Sequence, residues 1–520
     1  MKNSNTELRY WLDQLVAGIV KNHPEGKIIV SSGISPSGPY HVGHAREILT
    51  AEAVVRGLLE VGREVEHLHF VDAHDALRKR YPYLPESYEA EAGKPLVEIP
   101  APDGKSKSYA HQYFADYSRS AKLLGINMQV VWTNELYDQG KFADLIKTSI
   151  LKRDEIAKIL KKVSGRSVEK DWLPIQILDE TNKSLRTAKY IGFDPQTGIV
   201  NYLAADGQEH QADIRRGQVK LDWRIDWPAR WVLYGVQVEG FGREHATKGG
   251  SYDTGKAIAK EIFGVEAPLP VPYEIIALKG DTKKMSSSLG NLVTLWDSLQ
   301  IIPPEVLRYF TFKSRPERQL NFDPGAGLCT LVDEYARTES ETLSGNEPEF
   351  KRAWQVASLK GKNHVVSTVP FSHLVMIYQT AQGNIETVFE LLAKTGHQKA
   401  AETQAESIRR ELEYIDRWLD RFAPESVKFT VQDVLPNVSL NEIQEKFLAE
   451  LVRALEQIEP SPEAIHQQVY DAAIKKELKP AEAFKTIYNL FLSKDHGPKV
   501  GFFLASLDWE FVITRLKREK

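Results

Sequence analysis

The chain carries a single cysteine, Cys329, in 520 residues. No intrachain disulfide can form, so the fold has to rest on buried cores, and a reducing compartment is expected. The sequence also has no apolar run of about 18 residues and no signal-like start, so neither a membrane span nor secretion is expected, and the expected location is the cytoplasm. An excess of one charge is missing too. Lys and Arg number 67 against 71 Asp and Glu, for a net charge of −4. That argues against a polycation that coats nucleic acid wholesale, and leaves room for a local basic groove. What the chain does have is apolar material, 42% of its residues. Its length exceeds what one core can organise, and at about 150 residues per domain three or four domains are expected.

The densest pattern is Ser32-Gly33-Ile34-Ser35-Pro36-Ser37-Gly38-Pro39-Tyr40-His41-Val42-Gly43-His44. It follows the β-branched run Ile28-Ile29-Val30 and precedes Ile48, Ala51, Val55 and Leu58 at helical spacing, which predicts strand, turn and helix. His41 and His44 then stand at a helix N-terminus, where free backbone N–H groups and the positive dipole end favour phosphate oxygens. Gly43 lets a nucleotide lie against the backbone. Two imidazoles one turn apart can follow charge that builds on a triphosphate during attack at its α-phosphorus.

Lys284-Met285-Ser286-Ser287-Ser288 answers this pattern 240 positions after His44. Lys284 offers a mobile point charge and the three serines offer hydroxyl donors, on a loop that Gly280 and Gly290 allow to flex. Each motif alone is weak. A lone His-x-Gly-His arises by chance and its histidines are usually surface or packed residues, while a Lys-Met-Ser run is usually a polar loop. Both, in this order, behind a nucleotide-type β–α turn, point to an adenylate-forming site.

The pair resembles the HIGH and KMSKS signatures of class I aminoacyl-tRNA synthetases. Further segments resemble the class I lysyl-tRNA synthetases in particular: Gly33 to Gly38, Gly93-Lys94-Pro95-Leu96, Trp223 to Trp231, and His245 to Asp253. The likeness continues through Arg308-Tyr309, Asn321 to Gly325, Val369 to Val375 and the stretch from Phe484 to Leu516, so it spans nearly the whole chain. It implies an α/β, Rossmann-like parallel-sheet nucleotide-binding catalytic domain with an inserted connective domain, followed by an all-α C-terminal domain. The implied boundaries are 1–80 and 220–280 for the catalytic domain and 81–219 for the insertion, which would meet the tRNA acceptor stem. Residues 281–345 would hold the signature loop and a stem-contact region, and 346–520 a helical cage that reads the anticodon.

The resemblance also implies the chemistry: lysine activated with ATP and Mg²⁺ to lysyl-adenylate, then transferred to tRNA(Lys). His41, His44 and Lys284 would be catalytic. ATP would meet Pro36, Ser37, Gly38, His41, Gly43, His44, Gly242, Glu244, Lys284, Met285, Ser286, Ser287 and Ser288. Lysine would meet Gly33, Ser35, Trp223, Asp226, His245 and Tyr273. A monomer is expected, with no metal held by the chain's own residues. Three positions depart from the family pattern. Glu244 stands where Asp is common, which puts its ribose contact in question; Leu289 replaces a frequent Lys; and Ser287 replaces the second lysine of the general signature, a serine that the lysyl subgroup shares.

Several placements follow from the residues themselves. Trp223, Asp226 and Trp227 put two aromatics and a carboxylate within five residues, a sensible surrounding for an alkylammonium, although clustered tryptophans are more often core. Asp72-Ala73-His74-Asp75 closes a strand at Val65 to Val71, where open α/β sheets place ligands, and Asp72 as a helix cap is the bland alternative. Some class I lysyl enzymes carry cysteine-rich zinc modules in the insertion, whereas the β-like stretch from Trp172 to Lys220 has no cysteine and one histidine, His210, read as an exposed loop residue. No structural zinc is expected. Other expected elements are an amphipathic helix from Leu8 to Val20, a helix near Tyr109 to Leu124, a strand from Tyr273 to Ile276, a helix with Pro304 in its first turn, a capping box at Ser439-Leu440-Asn441-Glu442, and a helix opened by Pro480. Lys475, Lys476, Lys479 and Lys485 could meet phosphates or simply form a solvated face. Two other function classes stay open: a synthetase-like enzyme for another amino acid or acceptor, and a catalytically silent tRNA-binding paralogue.

Overall fold

The computed structural model describes residues 10–169, 171–279, 293–359 and 365–519. The chain divides into two compact units, one of Met1–Leu299 with Arg308–Phe322, the other of Gln300–Leu307 with Asp323–Lys520. The expected region 281–345 is thus shared between the two units rather than standing alone.

The first unit is built on five strands, β1 (Ile28–Ile34), β2 (Val65–Val71), β3 (Gln129–Trp132), β4 (Val238–Gly242) and β5 (Leu269–Tyr273). All neighbours pair in parallel, in the order β5-β4-β1-β2-β3. The order reverses between β1 and β4, and such a reversal opens a crevice at the carboxyl ends of the strands. β3 comes from residues 81–219, so the segment expected as an insertion also supplies an edge of the sheet. Both sheet faces are covered, as parallel strands require. Helix α1 (Ala45–Glu60) lies on one face, with Ala45, Ile48, Leu49 and Leu58 fully buried. On the other, Leu68, Phe70 and Val131 pack with Ile225 and Ala229 of helix α2 (Trp223–Tyr234) and with Ile258.

Three expected elements shift. The strand expected at Tyr273 to Ile276 is two: β5 ends at Tyr273, the Glu274 N–H donates to the Pro316 carbonyl at 2.8 Å, and Ile276–Leu278 pairs separately with Leu320–Phe322. The capping box moves by two residues. Asn441, not Ser439, caps the helix Glu442–Leu455: its side chain accepts from the Gln444 N–H at 2.9 Å and the Gln444 side chain accepts from the Asn441 N–H at 3.0 Å. Glu442 is already helical, so it cannot reach back as the third residue of the box. His210 sits inside the strand Glu209–Asp213, bonded to Asp206 at 3.2 Å, rather than in a loop.

The second unit, from residue 323 onward, is helical throughout its named elements. The helix Pro480–Leu492 opens on its proline and buries Ile487, Phe491 and most of Tyr488. Among the described residues no helix is long and apolar enough to cross a membrane.

Candidate active site

A cleft of about 590 Å³ opens at the carboxyl ends of β1, β2, β4 and β5. The first signature forms one wall. After β1 the chain turns, and the rings of His41 and His44 lie with centroids 3.8 Å apart, tilted 32° to each other, just before α1. The His41 N–H donates to Nδ1 of His44 at 3.0 Å, which leaves Nε2 to carry the proton of the neutral His44 ring. Gly43 is required by space. A Cβ there would lie 2.6 Å from Nδ1 of His41 and 3.2 Å from the Ile276 carbonyl oxygen.

The residues that follow the second signature lean on the first. The Val42 N–H donates to the Val293 carbonyl and the Leu295 N–H to the Tyr40 carbonyl, each at 2.9 Å. Lys284, Met285, Ser286, Ser287 and Ser288, with Leu289, lie outside the described residues. Of the other residues expected at the nucleotide, Ser37, His41, Gly43, His44, Gly242 and Glu244 line the cleft.

Gly33, Ser35, Trp223, His245 and Tyr273 line it as well. Trp223 stacks on Trp227 at 5.8 Å and leans on His245 at 5.4 Å, so three rings make one wall. Asp226 does not line the cleft. It is fully buried beneath the cleft surface, where Tyr137 donates to it at 2.6 Å, Arg230 forms an ion pair with it and the Lys220 ammonium stands 3.9 Å away. Burial alone would raise its pKa, but Arg230 and Lys220 outweigh that and hold it below the ordinary range. From the sequence Asp226 is expected to meet an incoming ammonium; in the structure its charge is met by the chain's own Arg230 and Lys220. Both of its oxygens are already engaged, Oδ1 by the Tyr137 hydroxyl and Oδ2 by Arg230.

The carboxylates that do face the cleft are Glu47, Asp72, Asp75, Glu239 and Glu244. Asp72 pairs with Arg230 at 2.6 Å and Asp75 with Lys220 at 3.2 Å. Asp72 is followed by turns rather than a helix, so it is not a cap. Glu239 accepts the indole N–H groups of Trp227 and Trp231, at 3.1 and 2.5 Å. Glu47, like Glu239, stands apart from the two aspartates. It accepts the Gly33 N–H at 2.9 Å and the Tyr273 hydroxyl, yet no Lys, Arg or His ion-pairs with it among the described residues. Burial pushes its carboxyl up to about 8, against the two hydrogen bonds, which pull the other way. A group in that state is poised to take a cation. Glu47 was missed in the sequence, although its spacing from His44, three residues, puts it one turn further along the same helix face.

Away from the cleft, Lys475 and Lys476 share Glu450, at 2.5 and 3.1 Å, and Lys485 pairs with Asp495 at 3.0 Å. Lys479 is the N-cap residue of the helix Pro480–Leu492.

A five-stranded parallel sheet with a paired-histidine turn at its switch point and a cleft at the carboxyl ends of its strands is the arrangement of a class I synthetase catalytic unit. The family model described as tRNA synthetases class I (K) matches residues 9–363. Similar full-length proteins include "Lysine--tRNA ligase 1" of Methanosarcina acetivorans, 39% identical with 98% of each chain covered. The "Lysine--tRNA ligase" of Archaeoglobus fulgidus is 37% identical, covering 98% of this chain and 99% of its own. That of Pyrococcus horikoshii is 34% identical, with the same shares. The chain belongs to the class I (K) tRNA synthetase family.

Proposed function

We infer that the chain is a lysine–tRNA ligase: it activates lysine with ATP to lysyl-adenylate, releases diphosphate, and passes the lysyl group to the terminal ribose of tRNA(Lys). The observation that carries the amino-acid choice is Glu47, a buried carboxylate without a cation, beside the Tyr273 hydroxyl and facing the wall of Trp223 and His245. A long alkylammonium satisfies both parts, the charge at Glu47 and the stem along the rings. Arginine fits less well, because a planar guanidinium wants both oxygens of a carboxylate as a fork, and those of Glu47 already accept from the Gly33 N–H and the Tyr273 hydroxyl. The full-length likeness to proteins named lysine–tRNA ligase supports the same reading.

ATP enters as its magnesium complex, the metal arriving on the phosphates and helping to neutralise the leaving diphosphate. His41 and His44 face the phosphates from the start of α1, Lys284 supplies a charge from the second signature, and the lysine carboxylate attacks the α-phosphorus in line. Gly242 and Glu244, at the end of β4, stand where adenosine would lie. No enzyme nucleophile is needed, since the mixed anhydride with AMP is the activated species. The helical unit takes the anticodon, and residues 81–219 approach the acceptor stem. Exchange of labelled diphosphate into ATP, run with each amino acid in turn, tests the reading: lysine should support exchange and the others should not. Exchange driven by another amino acid, or by none, would overturn it.

A further inference from the structure

Two arginines line the cleft with no task in the activation step as described above. Arg78 follows β2 by seven residues, and Arg186 comes from the cysteine-free β module; both line the cleft and both side chains are exposed. A guanidinium N–H of Arg186 donates to the Arg78 backbone carbonyl at 3.0 Å, which ties the Arg186 side chain to the segment that carries the second cation. Neither has a carboxylate partner among the described residues, in a chain whose other cleft cations, Lys220 and Arg230, are paired. Tyr81 lines the same rim, its ring stacked on Tyr83 at 5.7 Å. Two arginines on adjoining segments, neither ion-paired among the described residues, with a flat aromatic on the same rim, suit a phosphodiester with an adjacent base.

The position of Arg186 is built, not incidental. Its loop is closed by Asp179, a fully buried carboxylate that accepts four hydrogen bonds. These come from the Thr181 N–H at 3.0 Å, the Thr181 hydroxyl at 2.6 Å, the Thr187 hydroxyl at 2.8 Å and the Ala205 N–H at 2.8 Å. The last bond ties the Arg186 loop to the neighbouring hairpin, so one carboxylate fastens two turns of the β module. From the other side the loop rests on Gly93. The Leu185 N–H donates to the Gly93 carbonyl at 2.9 Å, and a Cβ at Gly93, whose φ is +95°, would lie 2.6 Å from the Ser184 hydroxyl oxygen. Gly93 in turn donates to the Leu77 carbonyl at 2.8 Å, next to Arg78. The segments carrying the two arginines are thereby locked to each other through Gly93.

We propose that Arg78 and Arg186 receive a backbone phosphate of the tRNA 3′ strand as it enters the cleft, and that Asp179 is the residue that positions Arg186 for this. The inference rests on the functional reading above, since it needs tRNA as the second substrate. The alternative source of the same chemistry is a phosphate of ATP, and the two sources separate by step. With Arg186→Ala, and likewise with Arg78→Ala, the ratio of tRNA charging to lysine-dependent exchange should fall about tenfold, mostly through KM for tRNA, as expected for a lost charge-assisted hydrogen bond. Charging and exchange falling in parallel would assign the arginines to ATP and overturn the proposal.

Asp179→Ala should lower the same ratio, and adding it to Arg186→Ala should lower the ratio no further, because the two act as one unit. Multiplying effects would mean that Asp179 does not act through Arg186. If Asp179→Ala fails to fold, Asp179→Asn, which keeps one acceptor oxygen, carries the same comparison. Phosphate-ethylation interference on the tRNA 3′ strand reads the contact without depending on which amino acid is activated. Lack of lysine-dependent exchange by the unaltered protein would therefore strike the functional reading alone. Lack of interference at the 3′-terminal phosphates would strike this one.

Discussion

Tyr273, the last residue of β5, donates its hydroxyl to Glu47 of α1, so the floor of the cleft is closed by a bond between elements 226 positions apart in sequence. Glu47 is thereby held facing the cleft with one oxygen on a hydroxyl and the other on a backbone N–H. No Lys, Arg or His among the described residues ion-pairs with it.

Glu47→Gln should raise the lysine concentration needed for activation ten- to a hundredfold, the range for one lost charge-assisted bond, and leave the ATP requirement nearly unchanged. Exchange kinetics with either substrate varied would show it. An unaltered lysine requirement would remove Glu47 from the site.

The same carboxyl makes lysine binding pH-dependent. It titrates at about 8 in the free protein, and an ammonium partner lowers that value, so binding below pH 8 expels a proton. Affinity should rise with pH up to about 8 and then level off, while the lysine side chain stays charged. Calorimetry at pH 7 in two buffers of different ionisation enthalpy should report close to one proton released, and none for Glu47→Gln. For folding the sign is opposite: a raised carboxyl pKa is a stabilising difference present below about 4.5 and lost as pH rises through about 8.

Asp226→Asn should cost stability rather than selectivity. The side chain is buried between Arg230, Lys220 and Tyr137, and breaking a buried pair typically costs about 3–5 kcal/mol because the partner charge is left behind. Urea midpoints would show the loss. Because its carboxyl is held below the ordinary range, its contribution is present above pH 4 or so and lost as pH falls through the depressed value. The variant's stability should therefore fall less on acidification than the parent's.

Lys284→Ala should slow lysine activation about a hundredfold with little effect on tRNA binding, the loss typical of an oriented charge that acts mainly in the transition state. Single-turnover adenylate formation beside a tRNA binding titration would separate the two effects. Equal losses in both would take the loop out of the chemistry.

Purified protein should carry no stoichiometric zinc by elemental analysis and should keep its fold in a strong chelator, while exchange still needs Mg²⁺. In the β module the Asp179 carboxylate, with its four donors, already fastens the turns. One tightly held zinc per chain would contradict this.

Much of this was readable in the residues. The apolar runs at Ile28 and Val65 gave their strands nearly to the residue, because buried parallel strands leave few other places for such runs. The turn after β1 was readable because glycine and histidine at fixed spacing leave little freedom. Asp226 read as an open carboxylate because its partners carry no mark in the sequence: Tyr137 comes from 89 positions earlier, and nothing in the residues says that Arg230 and Lys220 turn toward it. Glu47 went unread because a carboxylate amid apolar residues looks like an exception until the partner strand, more than two hundred residues later, is known to pass beside it. β3 was hidden for a similar cause. Four residues at a sheet edge, Gln129 to Trp132, carry too little pattern to be told from the irregular chain around them.

The strand order also sets a timetable for synthesis. β1 lies mid-sheet, with β2 and β3 on one side, and these follow it closely along the chain, but its neighbour on the other side, β4, begins only at Val238. At ribosomal speeds of roughly 5–20 residues per second, the gap of about 200 residues leaves one flank of β1 without its hydrogen-bonding partner for on the order of ten to forty seconds. During that interval the nascent chain presents an apolar parallel edge, the kind that invites wrong pairing. The nucleotide site matures later still, since Val293 and Leu295 must emerge before the histidine turn is braced. Nascent chains halted before Val238 should therefore depend on chaperones in a way that chains halted after Phe322 do not.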